Sequence, residues 1–374
     1  MHRCRPTLAL VAALALVGAA HAHAADSAPP ASTRLAFGSC FKQGRPAPVW
    51  DAIRGFRPEA LVLLGDNVYA DSTDPAVIRA AYGYLASDPG FQALRASTRV
   101  LATWDDHDYG EDDAGADFPA RAESKRALLD FLGEPAGSPR RSRDGVYESY
   151  AVGPPERRVQ VILLDTRWFR GSLTPRTREA EPGDGRGGPY QPTAAPGATI
   201  LGEAQWAWLE GELGKPARLR VLVSSIQVLA EDHGWEKWMN FPAERERLLA
   251  LVARTHASGL VIVSGDRHDA ELSLLPGAGV VDPLTGARTA NPLGYPLLDL
   301  TTSSLNSPRP WSWELNRHRV GDAFFGANFG TIEVDWSAAD PLVTLAIRDD
   351  RGEVAFFHRV PLGTLAASAP PRTP

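Results

Sequence analysis

Short apolar segments that end abruptly in acidic, histidine or cysteine residues recur along this chain, and they limit the folds that it can adopt. Residues 60–64 lead into Gly65-Asp66-Asn67-Val68-Tyr69, and residues 100–104 lead into six acidic side chains within the nine positions 105–113. Continuous apolar runs of about four to eight residues are typical of strands buried on both faces. Since the carboxyl ends of parallel strands share one edge of a sheet, these polar clusters are expected to meet.

The recurrence of strand, polar cluster and helix predicts an α/β fold. The predicted strands span residues 33–37, 60–64, 100–104, 158–164, 219–223, 259–263, 297–302, 330–335, 342–348 and 354–360. The last four are expected to be antiparallel and joined by short turns. The predicted helices span residues 48–54, 90–97, 119–131, 201–213 and 242–255, with another capped by Asp74-Pro75. Residues 171–200 contain 11 glycines and prolines in 30 positions, which indicates a loop or lid.

The N-terminus has the features of a targeting segment. Arg3 and Arg5 precede an apolar stretch at residues 8–20, and Ala22-His23-Ala24 provides small residues for cleavage. The expected organisation is a cleaved signal peptide at 1–24, a linker at 25–34, one domain at 35–363 and a disordered tail at 364–374. The protein is therefore expected to be exported, to a periplasm or out of the cell, with no transmembrane segment in the remaining chain.

Charge and cysteine content narrow the function further. The chain carries 39 Lys and Arg against 45 Asp and Glu, a net charge of −6, so no nucleic-acid-binding surface is evident. Of its two cysteines, Cys4 would leave with the signal peptide, and Cys40 would then have no partner for a disulfide within the chain. A lone thiol in an oxidising compartment is buried and inert, reactive, or held by a metal.

The polar clusters offer a mixed set of metal ligands at the predicted strand ends: Cys40, Asp66, Tyr69, Asp106, Asp266 and His268. Converging anionic groups repel one another unless multivalent cations neutralise them. Two cations about 3.5–4 Å apart, sharing one bridging carboxylate, are suited to the hydrolysis of a phosphate ester. Each motif taken singly has a structural alternative: an inert thiol at Cys40, a packed ring at Tyr69 and a solvated acidic turn after residue 104.

Four motifs, taken together, resemble those of a known family. Gly65-Asp66-Asn67-Val68-Tyr69 matches the Gly-Asp-x-x-Tyr element of purple acid phosphatases and their calcineurin-like relatives. Asp106-His107-Asp108 resembles their Asn-His-Asp/Glu element, and Gly265-Asp266-Arg267-His268 their Gly-His-x-His element, each with one Asp substituted. Phe37-Gly38-Ser39-Cys40 departs from their first element. Together these departures resemble the alkaline phosphatase D (PhoD-like) family of calcineurin-like metallophosphoesterases, over about residues 35–350.

The resemblance implies a fold and a dinuclear metal site. The fold would be a calcineurin-like four-layer α/β/β/α sandwich with two mixed sheets, formed by a metallophosphoesterase domain at 35–363. The first ion, Fe³⁺ or alternatively Zn²⁺, would be held by a thiolate, a carboxylate, a phenolate and an imidazole, those of Cys40, Asp66, Tyr69 and His268. Asp66 would bridge to a second ion held by Asp106 and Asp266, which as an all-oxygen site favours Ca²⁺, or alternatively Mg²⁺ or Mn²⁺.

The resemblance also implies a reaction. Metal-bound hydroxide would hydrolyse a small phosphodiester or phosphomonoester, and His107 would polarise the phosphate or protonate the leaving group. Asp108 would orient the imidazole. Asn67, Asp112 and Gln227 are weaker metal candidates, and Arg167 would bind the substrate phosphate or form a structural salt bridge. The enzyme is expected to be a monomer. Alternatives are a phospholipase-type activity on lipid headgroups and a non-catalytic, metal-stabilised binding protein.

Overall fold

The structure of this chain, a computed structural model, describes residues 32–177, 185–281, 286 and 288–366. The predicted signal peptide, the linker up to residue 31 and residues 367–374 of the predicted tail lie outside the described residues. No helix in the described part is long and apolar enough to cross a membrane.

Strands and helices alternate through most of the described residues, as the sequence predicts. The strands are β1 (Ser32–Gly38), β2 (Ala60–Leu63), β3 (Arg99–Ala102), β4 (Glu148–Val152), β5 (Val159–Leu163), β6 (Thr174–Pro175), β7 (Tyr190–Gln191), β8 (Leu219–Val223), β9 (Leu260–Ser264), β10 (Ala270–Leu275), β11 (Val280–Val281), β12 (Arg288–Thr289), β13 (Leu297–Thr302), β14 (Asn328–Asp335), β15 (Leu342–Asp349) and β16 (Val354–Pro361). The helices are α1 (Val49–Phe56), α2 (Pro75–Ser87), α3 (Pro89–Arg95), α4 (Asp106–Tyr109), α5 (Arg121–Leu132), α6 (Pro139–Ser142), α7 (Gly202–Leu213) and α8 (Pro242–Arg254).

Two six-stranded mixed sheets form the centre of the fold. In the first sheet the order is β16-β15-β14-β1-β2-β3, with β1, β2 and β3 parallel and the other pairs antiparallel. In the second sheet the order is β10-β13-β9-β8-β5-β4, with β13, β9, β8 and β5 parallel. The parallel strands are therefore central in the second sheet, where neither face is exposed to water.

Alternation along the strands separates the layers. In β1, Leu35 and Phe37 belong to the core that also contains the second sheet, whereas Ala36 packs with α1, α2, α3 and α5. On the far side, Trp206 of α7 and Leu248 of α8 cover the second sheet. The predicted four-layer α/β/β/α sandwich with two mixed sheets is confirmed.

Three expectations differ from the structure. The strand at 297–302 is not part of an antiparallel meander: β13 lies parallel to β9 in the second sheet, and residues 303–327 separate it from β14. The predicted tail begins too early, because Leu365 is fully buried and its carbonyl accepts a hydrogen bond from the Gly259 amide. The glycine-rich segment contains two short antiparallel strands, β6 and β7, and the Arg176 amide next to them donates to the Pro189 carbonyl.

Glu244, in the first turn of α8, fastens that helix to the chain before α7. One of its carboxylate oxygens accepts from the Ile200 amide at 2.8 Å, and the Trp206 indole donates to the same carboxylate at 3.0 Å. Glu244 is 5% exposed, so these donors depend on it rather than on water.

We expect Glu244→Ala to lower the free energy of unfolding by about 2–4 kcal/mol, because it leaves buried donors without an acceptor. Urea denaturation followed by tryptophan fluorescence measures the change. Glu246→Ala, on the exposed side of the same helix turn, is the matched control and should cost less than about 0.5 kcal/mol. Equal losses in the two variants would contradict the role given to Glu244.

Candidate functional site

Tight turns at the ends of β1, β2 and β9 aim the candidate ligands into one cleft. Cys40, Asp66, Asp266 and His268 all have left-handed backbone conformations, with φ of 56°, 49°, 70° and 58°. Such conformations cost a non-glycine residue about 1–3 kcal/mol and cluster at functional sites. Gly65 permits the close approach of two strand ends, because a Cβ there would lie 2.4 Å from the Cβ of Asp105.

The four residues predicted for the first ion lie together. The Cys40 thiol and the Tyr69 hydroxyl each lie 3.3 Å from Oδ2 of Asp66, and the same hydroxyl lies 3.1 Å from Nε2 of His268. Nδ1 of His268 is hydrogen-bonded to the Ser307 carbonyl, so Nε2 faces the cleft. This arrangement presents sulfur, oxygen and nitrogen donors to a single point.

The carboxylates predicted for the second ion lie beside the first group. Ligand atoms of Asp66, Asp106 and His107 lie within 4.8 Å of one another, and so do those of Asp105, Asp106 and Asp266. Asp66 belongs to the group with Cys40 and His268 as well as to a group with Asp106. A carboxylate shared by two groups is what a bridging ligand requires.

Several of the candidate ligand atoms have no hydrogen-bond partner within the protein, which suits them to bind cations. Among the described residues, Oδ1 of Asp66, Oδ1 of Asn67 and Oδ1 of Asp106 are buried and have no hydrogen-bond partner. Burial, together with the charge of Asp106, raises the pKa of Asp66 well above its usual value, and burial raises the pKa of the Cys40 thiol. Multivalent cations would supply the missing partners and stabilise the ionised forms.

Asp106 differs from its neighbours in being held as an anion. Burial acts to raise its pKa, but the charges of Arg167 and His107 and the hydrogen bond from the Asp113 amide outweigh burial and lower the pKa to about 2. That amide donates to Oδ2 at 2.8 Å, while Oδ1 lies 3.8 Å from the Arg167 guanidinium. One carboxylate oxygen is thus fixed by the protein and the other faces the cleft.

His107 is oriented by Asp71, a residue that the motifs did not indicate. Nδ1 of His107 lies 2.6 Å from a carboxylate oxygen of Asp71, and Nε2 lies 3.8 Å from Asp112. Burial acts to lower the pKa of His107, but the Asp71 hydrogen bond and the charges of Asp106 and Asp112 raise it to about 9. These contacts favour the protonated ring, and His107 lines the pocket.

The prediction that Asp108 orients this imidazole is wrong. Asp108 is fully buried and turns away from the cleft: it accepts from the Asn67 side chain at 2.5 Å, from the Tyr82 hydroxyl at 3.0 Å and from the Asp105 amide at 2.7 Å. It sits at the third position of the short helix α4, where its side chain closes a capping box with Asp105. Asp108 thus supports the loop that carries the ligands.

Arg167 is part of a buried ion network, which decides between its two predicted roles. Its guanidinium lies 2.5 Å from Asp105 and 2.7 Å from Glu236, and the side chain has no exposure to solvent. Arg170 pairs with the same glutamate at 2.9 Å. A guanidinium enclosed in this way forms a structural salt bridge and cannot reach a substrate phosphate.

Gln227 does not face the ligand groups, contrary to its prediction as a metal candidate. Its amide nitrogen donates to Glu271 at 2.7 Å and to Thr301 at 2.9 Å, and its carbonyl oxygen lies 2.9 Å from Nε2 of His233. Both ends of the side chain are therefore engaged. Asp112, by contrast, lies at the pocket, with a side chain 79% exposed.

The pocket above the ligand groups has a volume of about 240 Å³. Besides predicted residues it is lined by Asp113 of the acidic turn, by Arg267 between Asp266 and His268, and by three side chains from other loops: Trp235, Glu236 and Arg309. Asp71, two positions after Tyr69, could have been considered from its place in the motif loop. Glu236 and Arg309 follow no strand and carry no local pattern, so the sequence offered no signal for them.

Comparison with known proteins agrees with this architecture. The sequence profile of the PhoD-like phosphatases matches residues 35–355. Alkaline phosphatase D of Bacillus subtilis (strain 168) is 24% identical over 211 residues, which is 49% of this chain and only 33% of that relative's length. The solved structure of PhoD covers 91% of this chain and 73% of its own, with a TM-score of 0.68 and 16% identity. Purple acid phosphatase PPD1 of yellow lupin (Lupinus luteus) covers 88% of this chain and 54% of its own, with a TM-score of 0.55 and 12% identity.

At these identities the solved structures show a shared fold alone, that of the calcineurin-like phosphatases. The profile match, which spans most of the chain, is more specific. This chain belongs to the PhoD-like phosphatase family.

His233, buried below the pocket, is held in a neutral form. Nε2 faces the carbonyl oxygen of Gln227 as a donor, and Nδ1 accepts from the Trp235 amide at 3.2 Å, so a proton on Nδ1 would face another donor. Burial and the charge of Arg267 lower its pKa well below the usual value. The unfolded chain binds a proton at this residue near pH 6.5 whereas the folded chain does not.

We therefore expect the free energy of unfolding to fall as the pH drops below about 6.5, with a contribution from His233 of up to about 1.4 kcal/mol per pH unit. His233→Gln should remove that contribution and flatten the profile, measured by urea denaturation between about pH 5 and 7. The exposed His256, changed to Asn, is the control and should leave the slope unchanged. A slope that is the same in His233→Gln and in the parent would contradict the assignment.

Proposed function

We propose that this protein is an exported, metal-dependent phosphoesterase that hydrolyses small phosphodiesters or phosphomonoesters. The observation that carries the proposal is the pair of buried, unpartnered oxygens on Asp66 and Asp106, in groups of candidate ligands that also contain the Cys40 thiol and the His268 imidazole. Without cations such a set would cost free energy and stabilise nothing. The family membership of the chain supports the same reaction class.

Two metal ions are proposed for the cleft. The first would be held by Cys40, Asp66, Tyr69 and His268, a donor set that favours Fe³⁺ or Zn²⁺. The second would be held by the bridging Asp66 with Asp106 and Asp266, an oxygen set that favours Ca²⁺, Mg²⁺ or Mn²⁺. Asn67 is proposed as an additional oxygen donor, because its Oδ1 is buried and has no hydrogen-bond partner. When bound, such ions supply Lewis acidity and an activated water nucleophile.

The protein's own contribution to the reaction is assigned to His107. Its Nε2 is a proton donor at the pocket, held in place by Asp71 through Nδ1. Donation from Nε2 to a phosphate oxygen, or to the departing alkoxide, would stabilise negative charge that develops in the transition state. The Tyr69 ring packs against His107 in a tilted arrangement, with ring centroids 4.2 Å apart, and further restricts the imidazole.

We expect His107→Ala to lower kcat by about 10²–10⁴-fold without loss of metal, because it removes a proton donor rather than a ligand. Asp71→Asn should lower kcat by about 10–100-fold, since it weakens the orientation of the ring. Asp108→Asn is the matched comparison: it should mainly lower the unfolding midpoint. Steady-state kinetics and metal analysis of the three variants provide the test.

Two results would contradict these assignments. Metal loss in His107→Ala would make His107 a ligand, as its place beside Asp66 and Asp106 permits. A kinetic defect in Asp108→Asn, with none in Asp71→Asn, would restore Asp108 as the orienting residue.

Elemental analysis of the purified protein should find two or more metal ions per chain. If the first is iron, coordination by thiolate and phenolate gives a visible absorption band, which Tyr69→Phe and Cys40→Ser should each alter. Colourless protein with zinc would assign Zn²⁺ to that site. Less than one ion per chain after reconstitution would contradict the proposed centre.

Paired assays on a monoester and a diester separate the two substrate classes.

A further inference from the structure

We propose that Tyr190 is a positioning residue for the metal centre: through Asp113, it fixes the orientation of the Asp106 carboxylate. Tyr190 lies on residues 185–191, here called the strap, more than 75 positions away from the acidic turn in the sequence. The proposal rests on the metal-dependent function given above, and it assigns part of the site to a glycine-rich segment that no motif includes.

Two consecutive hydrogen bonds connect the strap to the ligand. The Tyr190 hydroxyl donates to Oδ2 of Asp113 at 2.5 Å, and the amide of Asp113 donates to Oδ2 of Asp106 at 2.8 Å. Because that bond engages Oδ2, the other oxygen of Asp106, Oδ1, is the one left buried without a partner. The orientation of the carboxylate therefore depends on where the Asp113 amide points.

The direction of this amide needs support from outside the turn. Asp113 has a left-handed backbone with φ of 55°, which a non-glycine residue adopts only when its surroundings hold it there. Two side chains hold it: Tyr190 through the carboxylate, and Arg170 through the carbonyl. Since Arg170 would remain, loss of the Tyr190 hydroxyl is expected to loosen the turn rather than collapse it.

The strap is itself fixed to the rest of the fold, so Tyr190 acts from a defined position. Its amide donates to the Gly234 carbonyl at 2.8 Å, and the Gly234 amide donates to Gly187 at 2.7 Å. At Gly188, with φ of 117°, a Cβ would lie 2.2 Å from the carbonyl carbon of Gly234. A third bond, from the Leu315 amide to the Gly185 carbonyl at 2.9 Å, holds the other end of the strap.

Tyr190→Phe tests the proposal, because it removes only the hydroxyl. Metal-free protein is titrated with Mn²⁺ and with Ca²⁺ by calorimetry, and the apparent Kd is expected to rise about 10-fold. The matched control is Tyr295→Phe, which removes a buried hydroxyl that donates to the Ala257 carbonyl at 2.6 Å. This control should lower stability and leave the metal affinity unchanged.

A second measurement does not depend on metal. Amide hydrogen exchange of the metal-free protein, over residues 106–114, should be about 5-fold faster or more in Tyr190→Phe and unchanged in Tyr295→Phe. Wild-type affinity or wild-type exchange in Tyr190→Phe would overturn the proposal, as would an equal effect of the control. Failure of the proposed function is distinguishable: the parent protein would then bind metal, yet hydrolyse neither a monoester nor a diester.

Discussion

Mutual repulsion among buried carboxylates is the constraint on which the rest of this structure depends. Asp66, Asp106 and Asp266 converge at strand ends, and burial raises the pKa of Asp66 and of Asp266 well above the usual value. A fold that assembles such a site must supply positive charge, from its own side chains or from bound cations. Arg167 supplies part of this positive charge, since its guanidinium is buried against Asp105 and lies near Asp106.

The acidic turn contains two kinds of side chain: some support the structure, and others face the cleft. Asp105 and Asp108 point inwards, to Arg167 and to Asn67 respectively, and hold the short helix α4 at the end of β3. Asp106 and His107, between them, point into the cleft. Adjacent residues of a helical turn face different directions, so four consecutive polar side chains can serve two environments. The acidic residues are dense in this part of the sequence because some hold the turn in place and others face the cleft.

Most of the fold, and the convergence of the candidate ligands, could be predicted, because these residues lie in the turns after apolar strands and strand ends share an edge. The contacts between side chains of different loops could not be predicted. Asp108 follows His107 directly in the sequence, yet the three-dimensional neighbour of the His107 Nδ1 is Asp71. Gln227 follows a strand as the other candidates do, but its side-chain amide is hydrogen-bonded to Glu271 and His233. Position at a strand end places a residue near the cleft without fixing its direction.

The direction of each of these side chains is set by contacts from elsewhere in the chain. A strand end leaves a carboxylate free to rotate about its last bonds, and a metal centre tolerates little of that freedom. Here the Asp113 amide fixes Asp106, the Ser307 carbonyl fixes His268, and Asp71 fixes His107. All three supports come from loops rather than strands. The sandwich therefore determines which residues meet, and the loops determine which atoms they present.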